Sequence, residues 1–403
     1  MTIQALVDFT TTRFKEEAYS IYRELRREEG FHRFTTGDGA NAWLVTRYNE
    51  ALDVMRDKRF IKNPTVILSK EEIVQKIPIF ENELITNQMV NLDPPDHTRL
   101  RHYIQKDFTP KAIEDLRGMV QEVTDELIAD MKNNDEIEFI TDFAFQLPII
   151  VIGTLLGVPK EDKEQFRRWT NAILESDNSE DVAEDVGLVF TQLTDYLTEL
   201  IDDKRSHPSQ DLISSLIHTD SEEEPLSLKE LLSMIFLLIL AGHETTVNLI
   251  GNGMLALFQH PDQFEELKQT EQLLPNAIEE MLRYYSPVEL TTNRFAAEDM
   301  IYKGQELSKG DLVLVSLASA NRDESQFENG DQFDIKRSHN PHMAFGFGIH
   351  FCVGAPLARL EAEVAFKTLF KEFPDIQLRG AFDDLKWRPT YLMRGLEKLP
   401  VFV

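Results

Sequence analysis

A mainly α-helical protein with a minor β portion is the fold class that the sequence predicts. Helical periodicity fills residues 110–218 and again residues 227–260. Short strand-like runs bounded by turn residues occur at residues 31–46 and after Pro287. Hydrophobic residues make up 42% of the 403-residue chain, enough for a packed core. Because no repeat or low-complexity linker marks a boundary, we expect one domain over residues 1–403.

The predicted N-terminal elements are a helix and a hairpin. Residues 15–29 are amphipathic and stop at Gly30, a residue type that commonly follows a helix end. Residues 31–36 and 42–46 flank Gly37-Asp38-Gly39, a turn sequence typical of a β-hairpin. Beyond them, residues 110–218 show only helical patterns, which break near residues 133, 159, 177–181 and 208, and the acidic residues 220–224 are typical of a solvated loop.

The longest predicted helix spans residues 227–260. It opens with Ser227 and Glu230, a pair that can form a capping box by satisfying each other's backbone N–H groups. A helix of this length is about 50 Å long, enough to cross a domain. Its middle is apolar on nearly every face, so we expect it to be buried.

The pattern changes after residue 287. Strand-like segments cover residues 288–296, 300–302 and 312–317. A last helix is predicted over residues 353–373, followed by short strands to the end of the chain.

Charge and composition exclude several classes of function. The chain carries 42 basic and 70 acidic residues, a formal net charge of −28 that disfavours binding to nucleic acids or anionic membranes. A single cysteine cannot form an internal disulfide. Residues 1–14 lack the pattern of a signal peptide, and the apolar run at residues 231–242 is about half of a membrane span. We therefore expect a cytoplasmic protein that spans no membrane.

The lone cysteine, Cys352, lies in a glycine-rich loop that precedes the last helix. Taken alone, such a cysteine is usually an inert buried residue. The glycines around it indicate a tight loop pressed against a flat partner, and a helix N-terminus favours a thiolate. Without a second cysteine, a zinc or iron–sulfur site of the usual ligand sets cannot form, which leaves a single-thiolate haem site.

The string Phe345-Gly346-Phe347-Gly348-Ile349-His350-Phe351-Cys352-Val353-Gly354 resembles the haem-binding loop of soluble bacterial cytochromes P450. Other segments of the chain resemble that family in the same order. The resemblance implies the cytochrome P450 fold, with a long central helix over haem b and Cys352 as the axial iron ligand. It also implies cofactor contacts from Phe345, Gly346 and Gly354.

The second matching segment is Ala241-Gly242-His243-Glu244-Thr245-Thr246, in the middle of the long helix. If the family resemblance is set aside, the alternative is that a threonine of this segment hydrogen-bonds to the preceding turn of the helix and Glu244 pairs with a residue elsewhere. The small Ala241 and Gly242 would let the helix pass close to a bulky ligand. By resemblance, they make room for O2, and Glu244 and Thr245 are the catalytic acid–alcohol pair that relays protons.

Two further sets of charged residues match the family. Glu280, Arg283 and Arg337 resemble a buried structural network beneath the haem, although an ExxR pair is by default a surface ion pair. Buried haem propionates require cations in good geometry. By resemblance these are supplied by His97, Arg101, Arg294 and His350.

The implied reaction inserts one atom of O2 into a small apolar substrate, such as a steroid, terpenoid, fatty acid or macrolide-like molecule. No nucleotide-binding loop occurs in the sequence and only 51 residues follow Cys352, so we expect no fused reductase. Electrons would come ultimately from NAD(P)H through a separate ferredoxin or flavodoxin with its reductase. Arg99, Lys106 and Lys111 form a basic patch that we expect to steer this partner. We expect a monomer.

Three alternatives differ in class. A peroxygenase using hydrogen peroxide is the nearest, but Glu244 and Thr245 argue against it. A haem sensor or electron carrier would need a sixth ligand, for which His243 is the one candidate, and we expect its side chain to point away. The third is a structural protein in which Cys352 binds nothing.

Overall fold

The computed structural model describes residues 8–9, 11–28, 30–35, 41–76, 83–134, 136–175, 183–218 and 224–403. Helices dominate the described residues, as predicted. The α-helices are Thr12–Glu28, Tyr48–Arg56, Lys70–Lys76, Glu83–Thr86, Asp96–Gln105, Pro110–Glu114, Arg117–Met131, Gln146–Leu156, Lys163–Glu175, Ala183–Ser206, Leu212–Ile217, Leu228–Gln259, Pro261–Gln269, Leu274–Tyr284, Leu317–Ala320 and Ala355–Glu372. A π-helix spans Ile140–Ala144, and 3-10 turns span Pro64–Val66, Met89–Asn91, Glu271–Leu273, Gly348–His350 and Phe382–Asp384.

The strands form a minor part of the described chain. They are β1 Phe31–Thr35, β2 Asn41–Val45, β3 Phe60–Ile61, β4 Ile137–Glu138, β5 Arg294–Ala296, β6 Met300–Tyr302, β7 Gln305–Leu307, β8 Leu312–Val315, β9 Gln377–Leu378 and β10 Pro400–Phe402. A five-stranded sheet has the order β1-β2-β8-β5-β3, in which β2 and β8 are parallel and the other neighbours antiparallel. The predicted hairpin is β1–β2, with Phe31 opposite Val45, while residues 36–40 lie outside the described residues.

Leu228–Gln259, the central helix, confirms the predicted long helix and its cap. The Ser227 N–H donates to Glu230 Oε2 at 2.8 Å, and the Glu230 N–H donates to Ser227 Oγ at 3.3 Å. By length and composition this helix could cross a membrane, but 67% of its apolar window is buried in the protein. The core helix of a globular protein can be equally long and apolar. The buried hydrophobic residues of this helix belong to the largest hydrophobic cluster among the described residues.

Two sequence predictions about local structure were wrong. The stretch predicted as purely helical contains β4, because Ile137 and Glu138 pair with Val401 and Pro400 at the far end of the chain. Residues 288–291 form isolated bridges to Met393 and Ser316 rather than a strand. In both cases pairing over a long sequence separation decides the local structure, and no local pattern reports it.

Candidate active site

The loop around Cys352 is tightly turned. Gly346 and Gly348 adopt φ values of +72° and +74°, which side chains disfavour, and the Cys352 N–H donates to the Phe345 carbonyl at 2.9 Å. Gly354 has φ −80° and precedes the helix Ala355–Glu372, so its conformation does not require glycine. The turns hold the Cys352 sulfur at a helix N-terminus, where it lines a cavity.

Burial and nearby donor groups act in opposite directions on the Cys352 thiol. The side chain is exposed, but it opens onto the cavity deep within the protein. Burial raises the pKa of the Cys352 thiol, although the N–H groups of Gly354 and Ala355 and the Arg101 guanidinium act in the opposite direction. The N–H groups at the helix N-terminus thus favour the thiolate, as the sequence predicts, while burial favours the neutral thiol. A bound cation would stabilise the thiolate further.

Basic groups from four segments converge at one end of the cavity. The His97 and His350 ring centroids lie 4.2 Å apart, and burial together with nearby cations lowers the pKa of His350 to about 2. Burial also lowers the pKa of Arg294 to about 10 and lowers the pKa of Arg101. The four residues predicted to meet two carboxylates thus lie together.

Lys62 belongs to the same cluster and was missed by the sequence analysis. It is buried, its ammonium donates to the carbonyls of Thr292 and Asn293, and burial beside Arg294 lowers its pKa well below the usual value. A single lysine in an irregular segment carries no sequence signal. Only the fold brings it to the cavity.

The charges and hydrogen bonds of this cluster are incomplete. Asp93 is the acid that acts on Lys62, Arg294 and His97, so the basic side chains of Lys62, Arg294 and Arg101 face one carboxylate. Both ring nitrogens of His97 and Nε of Arg294 are buried without a hydrogen-bond partner among the described residues. A ligand with two carboxylates would balance the charge and fill these donors.

The central helix forms the opposite side of the cavity. Ala241 is exposed in the middle of this otherwise buried helix because it faces the cavity, together with Gly242 and Thr245. A methyl group added at Gly242 would meet only Ile152, at 3.8 Å. The two small residues therefore leave room beside the helix, as predicted.

The two residues of the predicted acid–alcohol pair contact different partners. Thr245 Oγ1 donates to the Ala241 carbonyl at 2.6 Å, and Glu244 Oε1 accepts from Arg388 Nη2 at 2.7 Å. Glu244 is not among the cavity-lining residues, and its side chain is 21% exposed. The acid thus lies at the boundary with solvent, one residue from an alcohol that faces the cavity.

Two neighbouring side chains complete this region. His243 is buried and bonds through Nε2 to the Phe145 carbonyl at 3.0 Å, so it points away from the cavity, as expected. Glu361, which the sequence analysis missed, is buried and interacts with Thr246, a cavity-lining residue. Burial raises the pKa of Glu361 to about 8, so this carboxyl carries a proton at neutral pH.

The Glu280 network forms as predicted. Glu280 and Arg283 are fully buried and form two bonds of 2.7 Å, and Arg337 Nε lies 3.1 Å from Glu280 Oε2. The remaining donors of Arg283 reach the carbonyls of Asn321, Gly330 and Gln332. The network ties the irregular segment before the Cys352 loop to the helix Leu274–Tyr284.

Apart from the basic cluster, the described residues that line the cavity are mainly apolar. They include Met89, Val90, Ile152, Leu237, Leu238, Val288, Leu290, Leu392 and Met393. Thr291 and Thr292 add hydroxyls.

These features fit a flat, iron-containing cofactor with two carboxylates. Cys352 supplies a sulfur on one side, the basic cluster supplies unpaired donors at one edge, and small residues of the central helix leave space on the other side. Within the described part of the chain, no group of three or more His, Cys, Asp or Glu residues could hold a metal ion by itself. A haem bound through Cys352 meets each of these conditions.

Comparison with known proteins agrees with this interpretation. A family model described as cytochrome P450 matches residues 43–377. The polyketide biosynthesis cytochrome P450 PksS of Bacillus subtilis is 44% identical over 391 residues, covering 96% of each chain. Its solved structure superposes with a TM-score of 0.91 at 43% identity, covering 98% of this chain and 99% of that one.

Two further structures were solved with bound partners. Myxobacterial CYP267B1 in complex with myristic acid has a TM-score of 0.90 at 39% identity, with 98% of both chains covered. P450BioI in complex with an acyl carrier protein ligated to hexadec-9Z-enoic acid has a TM-score of 0.85 at 36% identity, covering 98% of this chain and 100% of that one.

Proposed function

The chain belongs to the cytochrome P450 family and is a monooxygenase of that family, and on this premise we propose that it oxidises an apolar substrate of the polyketide or fatty-acyl type. The observation that carries the proposal is a cavity in which Cys352, a basic cluster and Thr245 face one another. Its walls near Thr245 are aliphatic, and similar proteins include a polyketide biosynthesis cytochrome P450 and one whose structure was solved with myristic acid. The reaction is the insertion of one oxygen atom into a C–H or C=C bond.

Each residue of the site has a proposed task. Cys352 would bind the iron, and Phe345, Gly346 and Gly354 would contact the macrocycle. His97, Arg101, Arg294 and His350 would pair with the two carboxylates, and Lys62 would add positive charge. When bound, haem b supplies the activation of O2, with a thiolate that favours O–O cleavage.

Proton transfer is assigned to the side chains of the central helix. Thr245 presents a hydroxyl to the cavity and is anchored by the Ala241 carbonyl. Glu244, next to it and partly exposed, can take protons from solvent. The apolar walls exclude water elsewhere, so protons arrive through these residues. Glu361, which is protonated at neutral pH and hydrogen-bonded to Thr246, is a second proton donor.

Electrons are proposed to come from NAD(P)H through a separate ferredoxin or flavodoxin with its reductase, in the cytoplasm. Lys106 and Lys111 are exposed, and Lys106 directly follows the helix whose Arg101 acts on Cys352. Arg99, the third member of the proposed patch, is ion-paired with Glu230. The steering charge is therefore assigned mainly to the two lysines.

Haem-thiolate ligation is tested by the carbon monoxide complex of the reduced protein. A strongly red-shifted Soret band is expected for wild type, and Cys352→Ser should lose it while His243→Ala retains it. A wild-type band typical of histidine-ligated haem, or folded protein that takes up no haem, would overturn the proposal.

Substrate class is tested by ligand-induced spin-state titration followed by turnover. Myristic acid, a macrolide and testosterone are suitable probes, and the acid or the macrolide should bind more tightly than the steroid. Products should form with NAD(P)H, ferredoxin and reductase. Equal or faster turnover with hydrogen peroxide alone would favour the peroxygenase alternative.

The redox surface is tested by charge reversal. Lys106→Glu with Lys111→Glu should slow electron transfer from an acidic ferredoxin and weaken its salt dependence. Lys398→Glu, an exposed lysine in the C-terminal part of the chain, is the matched control. Unchanged rates in the double variant would remove the patch from the proposal.

A further inference from the structure

The contact between Glu244 and Arg388 joins the central helix to a distant part of the chain. Nη2 of Arg388 lies 2.7 Å from Glu244 Oε1 and 3.1 Å from Asn248 Oδ1. Glu244 and Asn248 are four residues apart and therefore share one face of the helix. The side chains of Arg388 and Glu244 are only 18% and 21% exposed, so the pair is largely shielded from solvent.

The backbone around Arg388 is shaped for this contact. Arg388 lies on a turn-back of the chain at residues 387–396, which we call the C-terminal hairpin. Trp387 bridges Leu396, and the Arg388 N–H donates to the Gly395 carbonyl at 2.9 Å. A Cβ at Gly395 would lie 1.9 Å from Asn248 Oδ1 and 3.2 Å from Arg388 Nη2. Glycine at this position leaves the space that the contact occupies.

A second bond holds the C-terminal hairpin against the central helix. Asn252, one turn beyond Asn248, donates from Nδ2 to the Arg394 carbonyl at 2.8 Å. The hairpin therefore docks along the helix face that carries Glu244. Glu244 itself does not line the cavity, but the next residue, Thr245, does.

We propose that Arg388 is a positioning residue for proton delivery, which holds the Glu244 carboxylate at the boundary between solvent and Thr245. A glutamate has several rotamers, and a charge-assisted bond to a guanidinium selects one of them. With Arg388 in place, the partly exposed acid meets solvent, and the next residue of the helix carries the hydroxyl that lines the cavity. Arg388 itself lines no part of the cavity. This inference rests on the proposed proton relay and adds a residue to it.

The test is a double-mutant cycle in the haem-loaded enzyme with ferredoxin, reductase and a substrate found by titration. Arg388→Gln is expected to lower product formed per NADPH about tenfold, with more hydrogen peroxide released, because a misplaced proton donor slows O–O cleavage. Glu244→Gln is expected to lower it about 100-fold. The double variant should match Glu244→Gln alone, because Arg388 acts through that carboxylate.

Two readouts separate positioning from a general structural role. The substrate dissociation constant and the carbon monoxide spectrum should be unchanged in Arg388→Gln, and melting temperatures should show non-additive effects of the two substitutions. Arg388→Lys keeps the positive charge and should recover part of the product yield per NADPH. This variant replaces Arg388→Gln in the test if Arg388→Gln fails to fold. Lys386→Gln, at an exposed residue directly before the C-terminal hairpin, is the matched control and should behave as wild type.

Each outcome has a distinct meaning. Wild-type coupling in Glu244→Gln would remove the acid from the proposed relay and overturn the role of Arg388 with it. A large loss in Glu244→Gln together with wild-type coupling in Arg388→Gln would overturn this inference alone. Fully multiplicative losses in the double variant would also overturn it, because the two residues would then act independently.

Discussion

Two buried carboxylates, Glu280 and Glu289, lie nine residues apart in the chain and are each matched by two cations. Glu280 bonds to Arg283 at 2.7 Å and to Arg337 at 3.1 Å. Glu289 bonds to Lys15 Nζ at 2.7 Å, lies 3.8 Å from Arg394 and accepts a 2.8 Å bond from Tyr22. Both glutamates are fully buried.

The two clusters differ in what they connect. The Glu280 cluster joins residues within a 60-residue stretch and fixes the segment that leads to Cys352. The Glu289 cluster joins the N-terminal helix to two walls of the cavity: Glu289 lies between the cavity-lining Val288 and Leu290, and Lys15 also donates to the Met393 carbonyl at 3.0 Å. One cluster therefore supports the thiol side of the site and the other supports its substrate side.

The cations also differ chemically. Arginine cannot lose its proton in a protein, so Arg283 and Arg337 stay charged whatever happens to Glu280. Lysine can, and burial lowers the pKa of Lys15 even with Glu289 present. We therefore expect the Glu280 cluster to be the less tolerant of losing its carboxylate.

Replacing Glu280 should have the largest effect. Glu280→Gln leaves two buried guanidinium groups without a counter-charge, which should cost about 3–5 kcal/mol of unfolding free energy. The measurement is urea denaturation together with haem content. Glu279→Gln, at the adjacent and partly exposed residue paired with Arg359, is the matched control and should cost much less. Equal losses at the two positions would show that burial of the cluster is unimportant.

Glu289→Gln should cost somewhat less, about 2–4 kcal/mol at neutral pH, because Lys15 can become neutral. The pH dependence of this defect follows from the pKa of Lys15, which burial lowers and Glu289 raises, so that removing Glu289 lowers it further. At a pH between the folded-state pKa and the unfolded value of 10.5, the unfolded state holds more protons and folding becomes more favourable as pH rises. This range begins at a lower pH in the variant than in wild type. The defect of Glu289→Gln should therefore shrink between pH 7 and 10.

The defect of Glu280→Gln should stay constant over the same range, because neither arginine titrates there. Denaturation series at several pH values compare the two variants directly. Parallel pH curves for both would contradict the assignment of Lys15 as the residue that yields its proton.

A third buried carboxyl, Glu361, has Thr246 rather than a cation as its hydrogen-bond partner, and it avoids a buried charge by staying protonated. Its pKa is raised by burial from 4.5 to about 8. Between these values the folded state binds the proton and the unfolded state does not, so stability falls as pH rises. Glu361→Gln should remove this slope and stabilise the protein by roughly 1–3 kcal/mol at pH 8 relative to pH 5. Identical slopes in the variant and in wild type would contradict it.

The sequence could predict the parts of this molecule that follow local rules. The central helix, its cap and the Cys352 loop show periodicity, a capping pair and glycine spacing, and Glu280 and Arg283 are three residues apart. Lys15 and Glu289 are separated by 274 residues, so no motif relates them. Lys62, Arg388 and Glu361 were missed for the same reason, since each reaches the site only through the fold.

The thiol prediction was incomplete for a different reason. The helix N-terminus and its N–H groups, which favour a thiolate, can be inferred from the sequence, whereas the burial that raises the pKa of Cys352 cannot. The balance between the two depends on how deep the cavity lies. That depth is a property of the whole fold.

The smallest effect should come from an ion pair that lacks burial altogether. Lys303 and Asp53 lie 2.7 Å apart, but their side chains are 46% and 48% exposed. Water screens such a pair and both side chains lose freedom in forming it, so Asp53→Asn should cost about 0.5 kcal/mol or less, and still less in high salt. Urea denaturation at two salt concentrations measures both. Because the distance equals that of Lys15 to Glu289, a loss as large as that of Glu289→Gln would show that contact distance, rather than burial, sets the strength of these pairs.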